Sequence, residues 1–111
     1  MKHILFTLKG CPWEALNDDA YIKHCLVEAS KWGKATMLNV TSHKFFPQGL
    51  TAFALLSESH ISIHTWPEKG MAVCDVFTCG DHTDPMAAVQ FLKAELDATD
   101  IIVNEFVRPL E

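Results

Sequence analysis

The segment Leu55–Gly70, LLSESHISIHTWPEKG, decides the fold. From Ile61 to Trp66 it alternates with period two. Ile61, Ile63 and Thr65 fall on one face and His60, Ser62, His64 and Trp66 on the other, the signature of a β-strand with unlike faces. The β-branched residues fit a pleated surface, and Pro67 with Gly70 closes the strand in a turn, PEKG. Upstream, Leu50–Ser57 (LTAFALLS) is an apolar run of strand length. Ser59 and His64 have opposite parity, so one straight strand would point them to opposite faces. The natural solution is a hairpin-like pair with Glu58–Ser59 at the crossing and Ser59 in the turn. Glu58, Ser59, His60, Ser62 and His64 are five polar groups that a small core does not bury without partners.

Working outward, His3–Leu8 (HILFTL) reads as a first strand, and residues 9–19 as a loop ending in helix N-cap candidates. Ile22, Cys25, Leu26, Ala29 and Trp32 recur at helical spacing, predicting a helix over 20–32 with Gly33 at its C′ position. ATMLNVTSHKF reads as a strand, PQG at 47–49 as a turn, and Met71–Thr78 as another strand. Asp84 with Pro85 starts a second helix bearing Ala88, Phe91, Leu92 and Leu96 on one face. Ile101–Val107 is a last strand. The order β-α-β-β-β-β-α-β predicts a single α+β domain over 1–111: a two-layer sandwich, a mainly antiparallel sheet with two helices on one face. The other face is left for solvent, a partner or a site.

The 111 residues suit one domain, and nearly half (49%) are apolar, enough for a core. A formal charge of −5 disfavours nucleic acid and anionic membranes, which select clustered Lys and Arg. No apolar run approaches the ~20 residues of a membrane helix, and MKHILFTLKG lacks the features of a signal peptide. A cytoplasmic location is therefore expected. Cys11, Cys25, Cys74 and Cys79 then read as thiols rather than a disulfide framework. Cys25 belongs to a helix's apolar face, Cys11 to a loop, and Trp13 and Trp32 read as packing residues.

His60, His64, Cys74 and Cys79 are the residues a zinc site would draw on. His60 and His64 would share a face of a helix, but on a strand they stand ~13 Å apart at ~3.3 Å per residue. Cys74 and Cys79, five apart, fall on opposite faces of a straight strand. The expectation is no metal. Taken alone, the histidines read as hydrogen-bonded sheet residues and Cys79 as a strand-end core residue.

Four blocks, HILFTLKGC, TSHKFFPQG, ESHISIHTWPE and MAVCDVFTCGDHTDP, closely resemble the small bacterial and archaeal type of S-adenosylmethionine decarboxylase proenzyme. The resemblance spans nearly the whole chain. It implies self-cleavage at Glu58–Ser59 into a β chain, 1–58, and an α chain, 59–111, whose Ser59 becomes a pyruvoyl cofactor. Ser59 would attack the Glu58 carbonyl, giving an ester; loss of the Ser59 α-proton then eliminates the Glu58 carboxylate, and hydrolysis leaves pyruvoyl and ammonia. His64 is implied as the base for the α-proton, since imidazole titrates near neutral pH. Thr51 (GLTA) stands where related sequences carry a processing serine (GVSG).

In the decarboxylation the substrate amine would form a Schiff base with the pyruvoyl carbonyl, an electron sink for loss of CO2. Cys79 is implied as the proton donor; a thiol with pKa about 8.5 can give a proton and be restored. For S-adenosylmethionine, Phe45 is implied for adenine stacking, beside Phe46, and Glu68 for the ribose hydroxyls. The product would feed spermidine synthesis, and the active form would be an (αβ)2 dimer with sites at the interface. Two alternatives stay open: a pyruvoyl enzyme acting on ornithine or arginine, and an uncleaved regulatory homologue. His60 and Ser62 are left as hydrogen-bonding residues of the sheet or a dimer interface.

Overall fold

The computed structural model describes residues 1–109. Six strands, β1 (Lys2–Lys9), β2 (Met37–Lys44), β3 (Leu50–Leu56), β4 (Ser59–Trp66), β5 (Met71–Thr78) and β6 (Asp100–Val107), form one sheet in the order β2-β3-β4-β5-β1-β6. Every pairing is antiparallel. Helices α2 (Asp19–Trp32) and α3 (Pro85–Glu95) pack on each other and on one face of this sheet, so the two-layer α+β reading holds.

The alternation read in β4 is the one observed. Ile61, Ile63 and Thr65 are buried beneath the helices, while His60, Ser62 and His64 are half-buried on the opposite face. The same parity runs through β1 (Ile4, Phe6, Leu8), β3 (Leu50, Ala52, Ala54, Leu56) and β5 (Ala72, Cys74, Val76), whose buried side chains meet Ile22, Leu26 and Ala29 of α2 and Val89 and Leu92 of α3 in one core. The face without helices is amphipathic: Leu5, Leu55, Val73, Ile102 and Phe106 are exposed there around a half-buried polar group.

Three local readings are corrected. The loop over 9–19 contains a one-turn helix, α1 (Trp13–Leu16), which buries Leu16. The PEKG turn winds into a 3-10 helix over Pro67–Lys69, closed by Gly70 in the left-handed region, φ 61°. Gly33 caps α2 with φ −75°, and Lys34 takes the left-handed conformation instead, φ 55°. A Cβ at Gly33 would stand in ordinary van der Waals contact, 3.4 Å from both the Ala29 carbonyl oxygen and the Ala88 side chain, where the two helices meet. The helix starts follow the sequence. Asp18 accepts from the Tyr21 amide and Asp84 from the Ala87 amide, with Pro85 in the first turn.

Cys11 is a loop residue as read, and a buried one, whereas Trp13 and Trp32, read as packing residues, are 47% and 60% exposed. Trp32 rests on Phe91, ring centroids 6.2 Å apart, at the rim of the helical layer. No helix among the described residues is long and apolar enough to cross a membrane.

Candidate active site

β3 ends at Leu56, Ser57–Glu58 make the turn, and Ser59 opens β4 opposite Thr78. The Glu58–Ser59 peptide therefore sits at the strand junction, one residue away from the turn placement read for Ser59. Its surroundings are built from segments distant in sequence. The Glu58 carbonyl oxygen accepts from the backbone N–H of Cys79 at 3.2 Å and from the Cys79 thiol at 3.1 Å. The Glu58 carboxylate accepts from the Thr36 amide at 2.9 Å and pairs with His82 Nε2 at 2.8 Å. Both ends of Glu58 are thus tied down, and the junction is fixed in space.

These contacts hold the Glu58 carboxyl down to about 2; the His82 bond is the largest cause and the Thr36 N–H the next, outweighing burial. A carboxyl held below its unfolded value of about 4.5 contributes stability above that pH and loses it as pH falls toward 2. The intact chain is expected to weaken across this window, with Glu58→Gln weakening less steeply. Urea midpoints measured from pH 5 to pH 2 check this.

On the helix-free face, Asp75 of β5 gathers three donors. Its Oδ2 lies 2.8 Å from His3 Nε2 and 2.7 Å from His60 Nε2, and Ser62 donates its hydroxyl to Oδ1. Half-burial raises the Asp75 pKa, but the bonds from Ser62, His3 and His60 outweigh it and leave the carboxyl below its ordinary range. The His60 ring is clamped by Phe53, stacked at 5.3 Å, and by Phe77 at 6.0 Å. Its other nitrogen, Nδ1, lies 3.4 Å from the Ser59 hydroxyl. His3, His60 and Asp75 are also a set that geometry alone would allow around a cation. The two imidazole–carboxylate contacts, however, have hydrogen-bond lengths. His60 and Ser62 thus take the in-sheet hydrogen bonds expected of them.

His64 is elsewhere. It faces Thr51 across the β3–β4 ladder, with Oγ1 and Nδ1 3.0 Å apart. Five residues of extended strand separate it from Ser59, about 16 Å at ~3.3 Å per residue. Phe45, just past β2, is half exposed and packs edge-on against His43 at 4.6 Å; Glu68 is exposed in the 3-10 turn. The site residues therefore fall into two groups at opposite ends of β4. Glu58, Ser59 and Cys79 share one end; Thr51, His64, Phe45 and Glu68 share the other. A cleft of about 680 Å³ opens beside Cys79, lined by Met1, Lys2, Asp81, Met86 and Val107 among others. All four cysteines are free; Cys11, Cys25 and Cys74 are buried and Cys79 is not.

The sequence reading missed His82, Thr36, His3 and Asp75. His82 lies within the quoted GDH block but carried no separate signal. Asp75 could have been found: it is the single charge within MAVCDVFT, and its parity sets it on the face of Met71, Val73 and Phe77.

Fold and site together define a class: a small antiparallel α+β sandwich whose central hairpin carries a serine and an immobilised carbonyl, met at that strand end by a part-buried thiol from the end of the next strand. The family model described as S-adenosylmethionine decarboxylase matches residues 2–109, and the chain belongs to that family. The S-adenosylmethionine decarboxylase proenzyme of Synechococcus sp. (strain WH7803) is 50% identical over 107 residues, covering 96% of this chain and 84% of that one. The protein of the same description from Methanococcus maripaludis (strain C7 / ATCC BAA-1331) is 52% identical over 105 residues, covering 90% and 86%. A crystal structure of the adenosylmethionine decarboxylase from Aquifex aeolicus VF5 is similar with a TM-score of 0.89 and 34% identity over 99% of this chain and 93% of that one.

Proposed function

We propose that this chain is a self-cleaving S-adenosylmethionine decarboxylase whose Glu58–Ser59 bond is cut to give a pyruvoyl group at residue 59. The observation that carries the reading is the pair of hydrogen bonds that Cys79 donates, from its N–H and its thiol, to the Glu58 carbonyl oxygen. That oxygen becomes an oxyanion when the Ser59 hydroxyl attacks, and donors already aimed at it stabilise the charge without reorganisation. Once formed, a pyruvoyl group would supply a carbonyl that accepts the substrate amine and the electron pair left by departing CO2. Cys79, at the same strand end, is the proton donor for the α-carbon.

The partition of the site fits a homodimer. His64 cannot reach the Ser59 α-proton along its own strand, and Phe45 and Glu68 lie at the far end with it. A second copy laid antiparallel on the helix-free face would bring these residues to the Ser59 end of its partner, and would cover Leu5, Leu55, Val73, Ile102 and Phe106. In that arrangement Phe45 stacks on the adenine and Glu68 accepts from the ribose, which favours S-adenosylmethionine over a basic amino acid. The decarboxylated product would serve spermidine synthesis.

Two measurements test this: intact mass of the purified chains, and CO2 release from S-adenosylmethionine, ornithine and arginine in parallel. A cut between Glu58 and Ser59 with release from S-adenosylmethionine is the expected result. A chain that stays intact on long incubation, or that releases CO2 only from an amino acid, overturns the reading.

A further inference from the structure

We propose that His60, oriented by Asp75, is the base that starts the cleavage by taking the Ser59 hydroxyl proton. The inference rests on the self-cleavage reading and adds its first proton transfer. A serine hydroxyl is a weak nucleophile near neutral pH and is activated by an adjacent base. Among the described residues, His60 is the histidine hydrogen-bonded to Ser59, Oγ to Nδ1 at 3.4 Å, and the bond belongs to a chain: Ser59 Oγ, His60 Nδ1, His60 Nε2, Asp75 Oδ2 at 2.7 Å. With Asp75 accepting at Nε2, the proton of neutral His60 sits there and leaves Nδ1 free as an acceptor, the form a base needs. Resting sites often hold such bonds long until the reaction begins.

The competing groups are engaged. His64 is on Thr51 and far along the strand; His82 and the Glu58 carboxylate are on each other. His3 and Ser62 complete the shell of Asp75, and Phe53 fixes the ring plane of His60.

The step balances within one chain. The Oγ–H bond breaks and the proton passes to His60 Nδ1 as Oγ bonds to the Glu58 carbonyl carbon. The carbonyl pair moves to oxygen, facing the Cys79 N–H and thiol. On collapse the Glu58 C–N bond breaks, and the nitrogen of residue 59 recovers the proton from Nδ1. An amide has become an ester and a free amine, with no atom gained or lost. His60 is thereby the catalytic base of the acyl shift and Asp75 a positioning residue. The acyl shift runs inside one chain, and the elimination that follows needs His64.

The test uses full-length chains made by cell-free synthesis and followed by mass spectrometry with and without hydroxylamine, which cuts esters. His60→Ala is expected to cleave about 10²–10³-fold more slowly, to remain hydroxylamine-resistant, and to recover as imidazole is added. His64→Ala should instead accumulate a hydroxylamine-sensitive bond. His60→Asn keeps a hydrogen-bonding group without a base and should be as slow as His60→Ala. Asp75→Asn should slow the wild-type chain about tenfold yet change little in the His60→Ala background, a non-additivity that a merely structural role would not give. Cleavage of a folded His60→Asn or His60→Ala chain near the wild-type rate overturns the proposal. So does a slow variant that piles up ester or ignores imidazole. If the wild-type chain itself never cleaves, it is the self-cleavage reading that fails.

Discussion

A Ser59→Ala chain mixed and refolded with a His64→Ala chain is expected to restore cleavage that neither variant shows alone. Ser59→Ala has no nucleophile and stays intact indefinitely. His64→Ala makes its ester but lacks the base for the α-proton, a loss of about 10²–10⁴ in rate. In the proposed antiparallel dimer, mixed pairing would set the Ser59 of one chain against the intact His64 of the other. Random pairing of equal amounts puts about half the His64→Ala chains in such dimers, so about half should be cut while the Ser59→Ala chains remain whole. The prediction follows from the ~16 Å of strand between the two residues together with the proposed antiparallel pairing of two copies. A mixture no more active than its components would show that one chain completes its own site.

The second large effect is at Cys79. Cys79→Ala should still cleave, because its backbone N–H keeps its bond to the Glu58 carbonyl oxygen at 3.2 Å. Losing the thiol removes a weak donor, and about a tenfold slowing is expected. Decarboxylation should fall far more, by about 10²–10⁴, the loss expected when the group that returns the proton is removed. The two rates separate the roles: intact mass reads the cut, and CO2 release reads turnover. Equal losses in both would leave Cys79 with the oxyanion alone.

Much of this was legible in the chain. Period-two alternation in Ile61–Trp66 set the buried and open faces of β4 because burial enforces parity, and Asp18, Asp84 and Pro85 marked helix starts by satisfying exposed amides. Gly33 was misread because the helix ends one residue later in the turn than expected: Gly33 keeps right-handed backbone and Lys34 takes the left-handed position. The site was legible as a set of residue types in specific blocks, but not as an arrangement. That His60 meets Asp75 depends on the β4–β5 register, and that His3 meets it depends on β1 inserting beside β5. Neither leaves a trace in local pattern.

A cut at Glu58–Ser59 divides the sheet into two sets: β1, β2 and β3 before it, β4, β5 and β6 after it. In the sheet these sets are interwoven, with β4 and β5 lying between β3 and β1, and β1 lying between β5 and β6. Three of the five ladders thus join one piece to the other. Neither piece can withdraw without tearing those ladders at once, so the severed protein should travel as a single folded body on a native gel and part into two only when denatured.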